Sequence, residues 1–253
     1  MPAAHNKATI VSMAIVAIGI STLLHEGVGH GVVSWLRGGV PVELTSNHLS
    51  GLHEDRWIDA GGTLVNLAAG LVALIASYAA GARANLRYFL WLLAVHNLLS
   101  GAGYFLFSGC LGIGDWQEVI AGLPHYAELR VAMAITGLVL YVFFAWLLAR
   151  AVWPFCPTRS SYNVVGRLPY VAACCFNCLA GAFDPLGMRL LWISTIPAVF
   201  GGSSGMLWLD NFLPRPLPTE TLVIGRRPAW WVFAAIFGIA YIVVLGRGIE
   251  FRH

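Results

Sequence analysis

The sequence contains few charged residues, and this scarcity argues against a soluble fold. Only 11% of the 253 residues are charged, whereas 58% are hydrophobic and the mean hydropathy is +0.73. Soluble domains carry about 25% charged residues. A chain with so little charge has few side chains that favour water, so we expect it to reside in lipid.

The sequence also lacks a concentrated positive charge and a disulfide framework. Its net charge of +3 is spread along the chain without a basic patch or tail, which argues against nucleic acid as a partner. Three of the five cysteines lie in "CCFNC", at Cys174, Cys175 and Cys178. They allow two interpretations, a thiolate metal site or small buried side chains. The second is favoured because free cysteine is often buried.

Long apolar runs are what the sequence does have, and a helix of roughly 20 apolar residues crosses a bilayer. Five such spans are predicted, at 8–36, 58–81, 86–108, 129–153 and 229–247. A further apolar region, 169–209, is broken by "FDPLG" and is expected to form two short spans or a re-entrant pair. The fold class is therefore an all-α polytopic membrane protein with about six transmembrane helices.

Two polar stretches separate these spans. In residues 37–57, "VPVELTS" alternates as a strand does and "LSG" is typical of a turn, which predicts a small hairpin-like insertion between the first two spans. The stretch "CPTRSSYNVVGR", residues 156–167, is predicted to be an exposed loop. Glycines 109, 112 and 114 are expected to end the third helix.

An ionisable group interrupts the first apolar run. Residues 25–30 read "HEGVGH", and a charged side chain in the membrane core costs at least about 2.5–3.5 kcal/mol. Glu26 is either a carboxylate that lines a pore or pairs helices, or a catalytic base. Because His25 and His30 flank it, the catalytic interpretation is favoured.

The spacing of the two histidines has a geometric consequence. In an HExxH helix the histidines lie one turn apart and bind one zinc ion, with the glutamate as the base. Here they are five residues apart, about 140° around a regular α-helix, which is too far to share an ion. A π-bulge absorbs one residue, so the sequence predicts a bulge or break between Leu24 and Gly31. The dipeptidyl peptidase III family has the same HExxGH spacing in a zinc motif.

A catalytic zinc site needs a third protein ligand, and Asp115 in "GIGDW" is our candidate. It follows the third span on a glycine-rich segment. Its alternative role is to cap the helix that "WQEVIAGL" would form. Asp184, in "AFDPLG", is the rival ligand, although an Asp-Pro pair at a helix break is often simply part of a turn.

These motifs resemble the site-2 protease family of intramembrane zinc proteases over residues 15–120. "GGTLVN" is similar to the Gly-Pro-x-x-Asn element of that family, with Thr63 at the usual proline. "HNLLSGAGYFLFSGCLGIGDW" is similar to its Asn-x-x-x…Leu-Asp-Gly element, with a longer separation between Asn97 and the aspartate and with Trp116 at the glycine.

The resemblance implies roles for particular residues. Zn²⁺ would be bound by His25, His30 and Asp115, and Glu26 would be the catalytic base. Asn66 would bind the substrate, either by holding an extended strand or by polarising its carbonyl group.

We therefore expect an intramembrane zinc metalloprotease that hydrolyses peptide bonds within or next to the membrane. Residues 1–128 are predicted to form the zinc protease core of three spans, and residues 129–253 to add accessory transmembrane helices. The partners expected are a membrane-embedded protein substrate and the lipid bilayer, with residues 38–52 offering an edge for strand addition. The expected location is a bacterial cytoplasmic membrane.

Two alternatives remain open at this point. The chain is a non-catalytic membrane scaffold with a relic zinc site, or, less favoured, a di-iron membrane oxidase. The second alternative uses the further histidines His48, His53 and His96, of which the first two repeat the five-residue step. Such oxidases use about eight histidines by family resemblance, and this sequence offers fewer at suitable places.

Overall fold

The chain folds into a bundle of membrane-length helices. The computed structural model describes residues 4–52, 55–216, 218 and 220–251. In this part of the chain, six helices are long and apolar enough to cross a bilayer, as expected of an integral membrane protein. They are α1 (Lys7–Leu36), α2 (Arg56–Ala79), α3 (Ala84–Leu111), α5 (Tyr126–Phe155), α6 (Arg159–Gly181) and α8 (Pro228–Leu245).

Smaller elements connect these spans. The short helix α4 (Asp115–Ile120) follows α3, and α7 (Met188–Gly201), which is too short to be counted as a span, follows α6. Three short strands form one sheet: β1 (Pro41–Leu44), β2 (Leu49–Gly51) and β3 (Ile249–Glu250). Two 3₁₀ turns, Ser204–Leu207 and Leu209–Phe212, lie between α7 and α8.

The central helix of the bundle is α3, which packs on α1, α2 and α5. Trp91 is fully buried there, and its indole nitrogen donates a hydrogen bond to the carbonyl oxygen of Leu148 at 3.0 Å. By contrast, α5 and α8 present rows of aliphatic side chains to the outside, such as Ile135 and Val139. In water such rows would be unfavourable, but they suit contact with lipid.

The predicted spans agree with the structure except in one region. Helix α6 already begins at Arg159, so the prediction of an exposed loop over residues 156–167 is wrong. Tyr162 is fully buried, and its hydroxyl donates to the carbonyl oxygen of Met206 at 2.8 Å. The polar side chains around Tyr162 concealed this anchor in the sequence. Region 169–209 supplies the rest of α6 and the short α7, with the break at "FDPLG" where it was expected.

The predicted hairpin is present, but its details differ. Its turn is formed by residues 45–48, so "LSG" is strand β2 and the prediction that it forms a turn is wrong. Strand order is β2–β1–β3, all antiparallel, and β3 comes from the segment after α8. One edge of β1 is therefore covered by β3, while β2 forms an outer edge of the sheet.

Helices α1 and α2 approach each other closely at three glycines. A Cβ atom added to Gly29 would lie 2.7 Å from the nitrogen of Gly62 and 2.8 Å from the oxygen of Gly61. Both are backbone atoms and cannot turn aside as a side chain does. The contact between these helices therefore requires the absence of side chains.

Gly29→Ala is expected to destabilise the protein by about 1–3 kcal/mol, because overpacking at a rigid contact costs free energy of that order. Gly27→Ala is the matched control: it lies on the same turn and has no atom within 4 Å of an added Cβ. Alanine is better than glycine in helices by about 1 kcal/mol, so the control should be as stable as the parent or more so. Thermal unfolding in detergent measures both, and equal melting temperatures for the two variants would contradict the close contact.

Candidate metal centre

The histidine motif lies on a stretch of π-helix within α1. The π-helical residues are Leu24–Val32, which confirms the predicted bulge between Leu24 and Gly31. Because π-helical hydrogen bonds join residues five apart, His25 and His30 come to lie on the same face. Their ring centroids are 4.8 Å apart, and their Nε2 atoms are 3.2 Å apart.

Both imidazole rings are oriented by hydrogen bonds from α2. Nδ1 of His30 donates to the carbonyl oxygen of Ile58 at 2.7 Å. Nδ1 of His25 donates to Oδ1 of Asn66 at 3.0 Å, and Nδ2 of Asn66 in turn donates to the hydroxyl of Ser21 at 3.4 Å. With Nδ1 protonated in each ring, both Nε2 atoms carry the lone pair that a metal ion requires.

Asp115 completes a triangle of ligand atoms. Its Oδ2 lies 3.1 Å from Nε2 of His25 and 3.5 Å from Nε2 of His30. In a tetrahedral site with ligand bonds of about 2.0–2.2 Å, the ligand atoms are about 3.3–3.6 Å apart. The three residues can therefore hold one metal ion with little movement. Asp115, and not Asp184, is the third residue of this group.

The turn after α3 places Asp115 next to the two histidines. The helix stops at Gly112 (φ +69°), and Gly114 (φ +83°) then turns the chain into α4. Arg130 of α5 holds this helix end, donating from Nε to the carbonyl oxygen of Gly109 at 3.0 Å and from Nη2 to that of Cys110 at 2.8 Å. The N-cap of α4 is Gly114, so the capping role considered for Asp115 is wrong.

The charge of Asp115 is favoured by its surroundings. Burial alone would raise the pKa of its carboxyl group, but hydrogen bonds from His25 and His30 in their protonated forms, and attraction to their charge, hold that pKa below its usual range. The group is therefore ionised at neutral pH, as a metal ligand must be.

The rival residue, Asp184, serves a different contact. Its side chain is fully buried, where it accepts hydrogen bonds from Nδ2 of Asn47 at 2.9 Å and from the backbone nitrogen of Leu186 at 2.9 Å. It thus forms a turn and anchors the tip of the hairpin. Thr195 of α7 holds the same tip by donating to Oδ1 of Asn47 at 2.9 Å.

Glu26 lies beside the three residues His25, His30 and Asp115, here called the metal group, but is not a member of it. Its side chain is buried in the bundle, and the residue is only 7% exposed. It lines a cavity of about 800 Å³ together with His30 and Asp115. The rest of that cavity is mostly apolar, with side chains from α3, α5 and α7 and with Leu49 of β2.

A second, smaller cavity of about 70 Å³ also adjoins the site. It shares Glu26 with the large cavity and is lined in addition by His25, and its remaining walls are mainly hydroxyl and amide side chains. Tyr104 lines both cavities. The polar cavity is lined by Ser21, Thr22, Ser46, Asn47, Asn66, Ser100, Asn177, Ser194, Thr195 and Ser203 among others.

Of two polar residues that contact His25, the sequence identified Asn66 and did not identify Tyr104. Asn66 was identified from its motif, but the structure places it behind His25, with 2% exposure. Tyr104 was missed, although its ring stacks on that of His25 with centroids 4.9 Å apart. A usable signal was present in α3, where polar residues recur at helical spacing: Asn97, Ser100, Tyr104 and Ser108.

The other histidines and cysteines do not join the site among the described residues. His48 contacts the hydroxyl of Thr45 at 3.0 Å, and His96 is fully buried in α3. His53 lies outside the described residues. The cysteines of "CCFNC" are free: Cys174 is buried, as expected of a small buried side chain, whereas Cys175 is exposed and Cys178 is half-buried.

Asn66→Ala is expected to lower metal affinity by about 10- to 100-fold, because residues that orient metal-binding histidines have effects of that size. Asn97→Ala is the control, since Asn97 is equally buried in a span but donates only to the carbonyl oxygen of Leu93. Competition with a metal-sensitive dye measures both affinities. Parent-like affinity in Asn66→Ala would show that its hydrogen bond does not orient His25.

No family model, no curated protein and no solved structure matches the chain. Its function is therefore inferred from the chemistry and geometry of its own residues.

Proposed function

We propose that the protein is an intramembrane zinc metalloprotease of site-2 type in a bacterial cytoplasmic membrane, which hydrolyses peptide bonds within or next to the bilayer. One observation carries this proposal. His25, His30 and Asp115 form a ligand triangle with edges of 3.1–3.5 Å, and Glu26 lies next to it on the wall of a large cavity.

The donor set fits zinc. Two imidazole nitrogens and one carboxylate oxygen are ligands that catalytic zinc sites use, and three protein ligands leave a fourth position open. Each histidine is held in the required tautomer by a hydrogen bond from Nδ1. When bound, zinc supplies Lewis acidity that activates water near neutral pH and polarises a carbonyl group.

Glu26 is suited to act as the base. Its carboxylate is adjacent in sequence to His25, faces the large cavity and remains outside the ligand group. It would take a proton from the attacking water and pass it to the nitrogen of the leaving amine. A carboxylate in a membrane helix is costly, and a catalytic role explains why one is present there.

The surroundings of the site suit a membrane-embedded protein as the substrate. The large cavity is mostly apolar, and strand β2 contributes Leu49 and Gly51 to its wall. Because β3 covers one edge of β1, β2 is the strand of the hairpin that remains for pairing with an unwound substrate. Strand addition would hold the peptide extended beside Glu26.

Glu26→Gln separates catalysis from metal binding. Loss of a general base typically lowers the rate by about 10²–10⁴-fold, so cleavage of a model transmembrane substrate should fall by at least that lower factor. Zinc content should stay that of the parent, because Glu26 is not a ligand. The measurements are metal analysis of the purified protein and cleavage in liposomes.

His30→Ala is the companion variant, and it should lose the metal because only two protein ligands remain. Full activity in Glu26→Gln would refute the mechanism. Zinc loss in Glu26→Gln would instead make Glu26 a ligand. A parent protein that binds zinc but cleaves none of a panel of transmembrane substrates would favour the non-catalytic scaffold.

A further inference from the structure

Tyr104 contacts the metal group directly. Its ring is stacked on the imidazole of His25, with an interplanar angle of 23°. It belongs to α3 and lines both the large apolar cavity and the small polar one. This position places a phenol at the boundary between the substrate space and a polar pocket, against a metal-binding side chain.

The hydroxyl of Tyr104 is not used by the bundle. Tyrosine hydroxyls in apolar surroundings usually find a partner, and four other tyrosines of this protein follow that rule. Each of them donates to a backbone carbonyl oxygen: Tyr88, Tyr141, Tyr162 and Tyr170. Within the described residues the hydroxyl of Tyr104 has no such acceptor, and the side chain is only half-buried.

Three neighbouring side chains, Glu26, Asp115 and Asn66, are not available as hydrogen-bond donors. The carboxylates of Glu26 and Asp115 both interact electrostatically with Tyr104, and ionised carboxylates only accept hydrogen bonds. The amide of Asn66, which the family resemblance would assign to the substrate carbonyl, is engaged with His25 and Ser21. Hydrolysis of a peptide bond nevertheless builds negative charge on the carbonyl oxygen, and a positioned donor stabilises that charge.

We propose that Tyr104 is a catalytic residue, whose hydroxyl donates a hydrogen bond to the oxygen of the scissile carbonyl as that oxygen becomes negatively charged. This inference rests on the proposed protease function. The oxygen of water forms a bond to the carbonyl carbon, and the bond from that carbon to nitrogen breaks. The proton from water goes through Glu26 to the leaving amine, while Tyr104 keeps its own proton throughout.

Tyr104→Phe tests this role because it keeps the ring on His25 and removes only the hydroxyl. Removal of one such donor lowers kcat by about 10²–10³-fold, and we expect this loss with little change in KM and with the zinc content of the parent. Tyr78→Phe is the control, since Tyr78 is exposed at the end of α2, away from the site.

A second measurement does not need turnover. A peptide phosphonate carries a tetrahedral oxyanion, and its affinity for the zinc-loaded protein should fall at least tenfold in Tyr104→Phe but not in Tyr78→Phe. Unchanged kcat in Tyr104→Phe, or zinc loss in that variant, would overturn the inference, because the residue would then have no catalytic role or only a structural one.

The two readouts separate this inference from the proposed function. If the parent cleaves and Tyr104→Phe cleaves equally well, the protease function stands and the role of Tyr104 is refuted. If the parent does not cleave, the protease function fails, and the phosphonate affinities decide alone. A tenfold loss then supports Tyr104 as an oxyanion donor, and equal or absent binding overturns it.

Discussion

The close contact between the backbones of α1 and α2 is the constraint on which the site depends. Gly29 meets Gly61 and Gly62 there, and a Cβ on Gly62 would lie only 2.6 Å from Nε2 of His30. The two imidazole rings therefore pack directly against the backbone of α2 at Gly62, where α2 has no side chain. Because α2 is so near, Ile58 and Asn66 reach Nδ1 of the two rings and fix their tautomers. Wider helix spacing would remove both hydrogen bonds together.

The sequence predicted the parts of this arrangement that follow from local chemistry. Apolar runs gave the spans, and the five-residue step between His25 and His30 required a π-bulge once a shared ion was assumed. Asp115 was found because few carboxylates follow a span in a chain with so little charge. These inferences concern residues that are close in sequence, or residue types that are rare in lipid.

Features that depend on distant contacts were not predictable in the same way. Strand β3 pairs with a hairpin about two hundred residues earlier in the chain, and its two residues carry no strand signal by themselves. The burial of Tyr162 depends on Met206. Asn66 was found, but its contact with His25 depends on how near α2 lies to α1, which no periodicity reveals. Tyr104 is different, because the polar residues at helical spacing on α3 indicated its face in the sequence. Only its contact with His25 could not be predicted.

The π-helical turn has a consequence for helical phase. Deleting one residue between Glu26 and Gly29 would restore the shorter histidine spacing, and a zinc ion alone would accept either spacing. In a regular α-helix, which advances by about 100° per residue, such a deletion would rotate every later residue relative to α2. Here the π-helical stretch Leu24–Val32 already takes up one extra residue, so the deletion would return the stretch to α-helix and leave the residues after it facing α2 as before. The longer and the shorter motif are therefore compatible with the same packing of α1 on α2, and a single deletion is a conservative way to convert one form into the other.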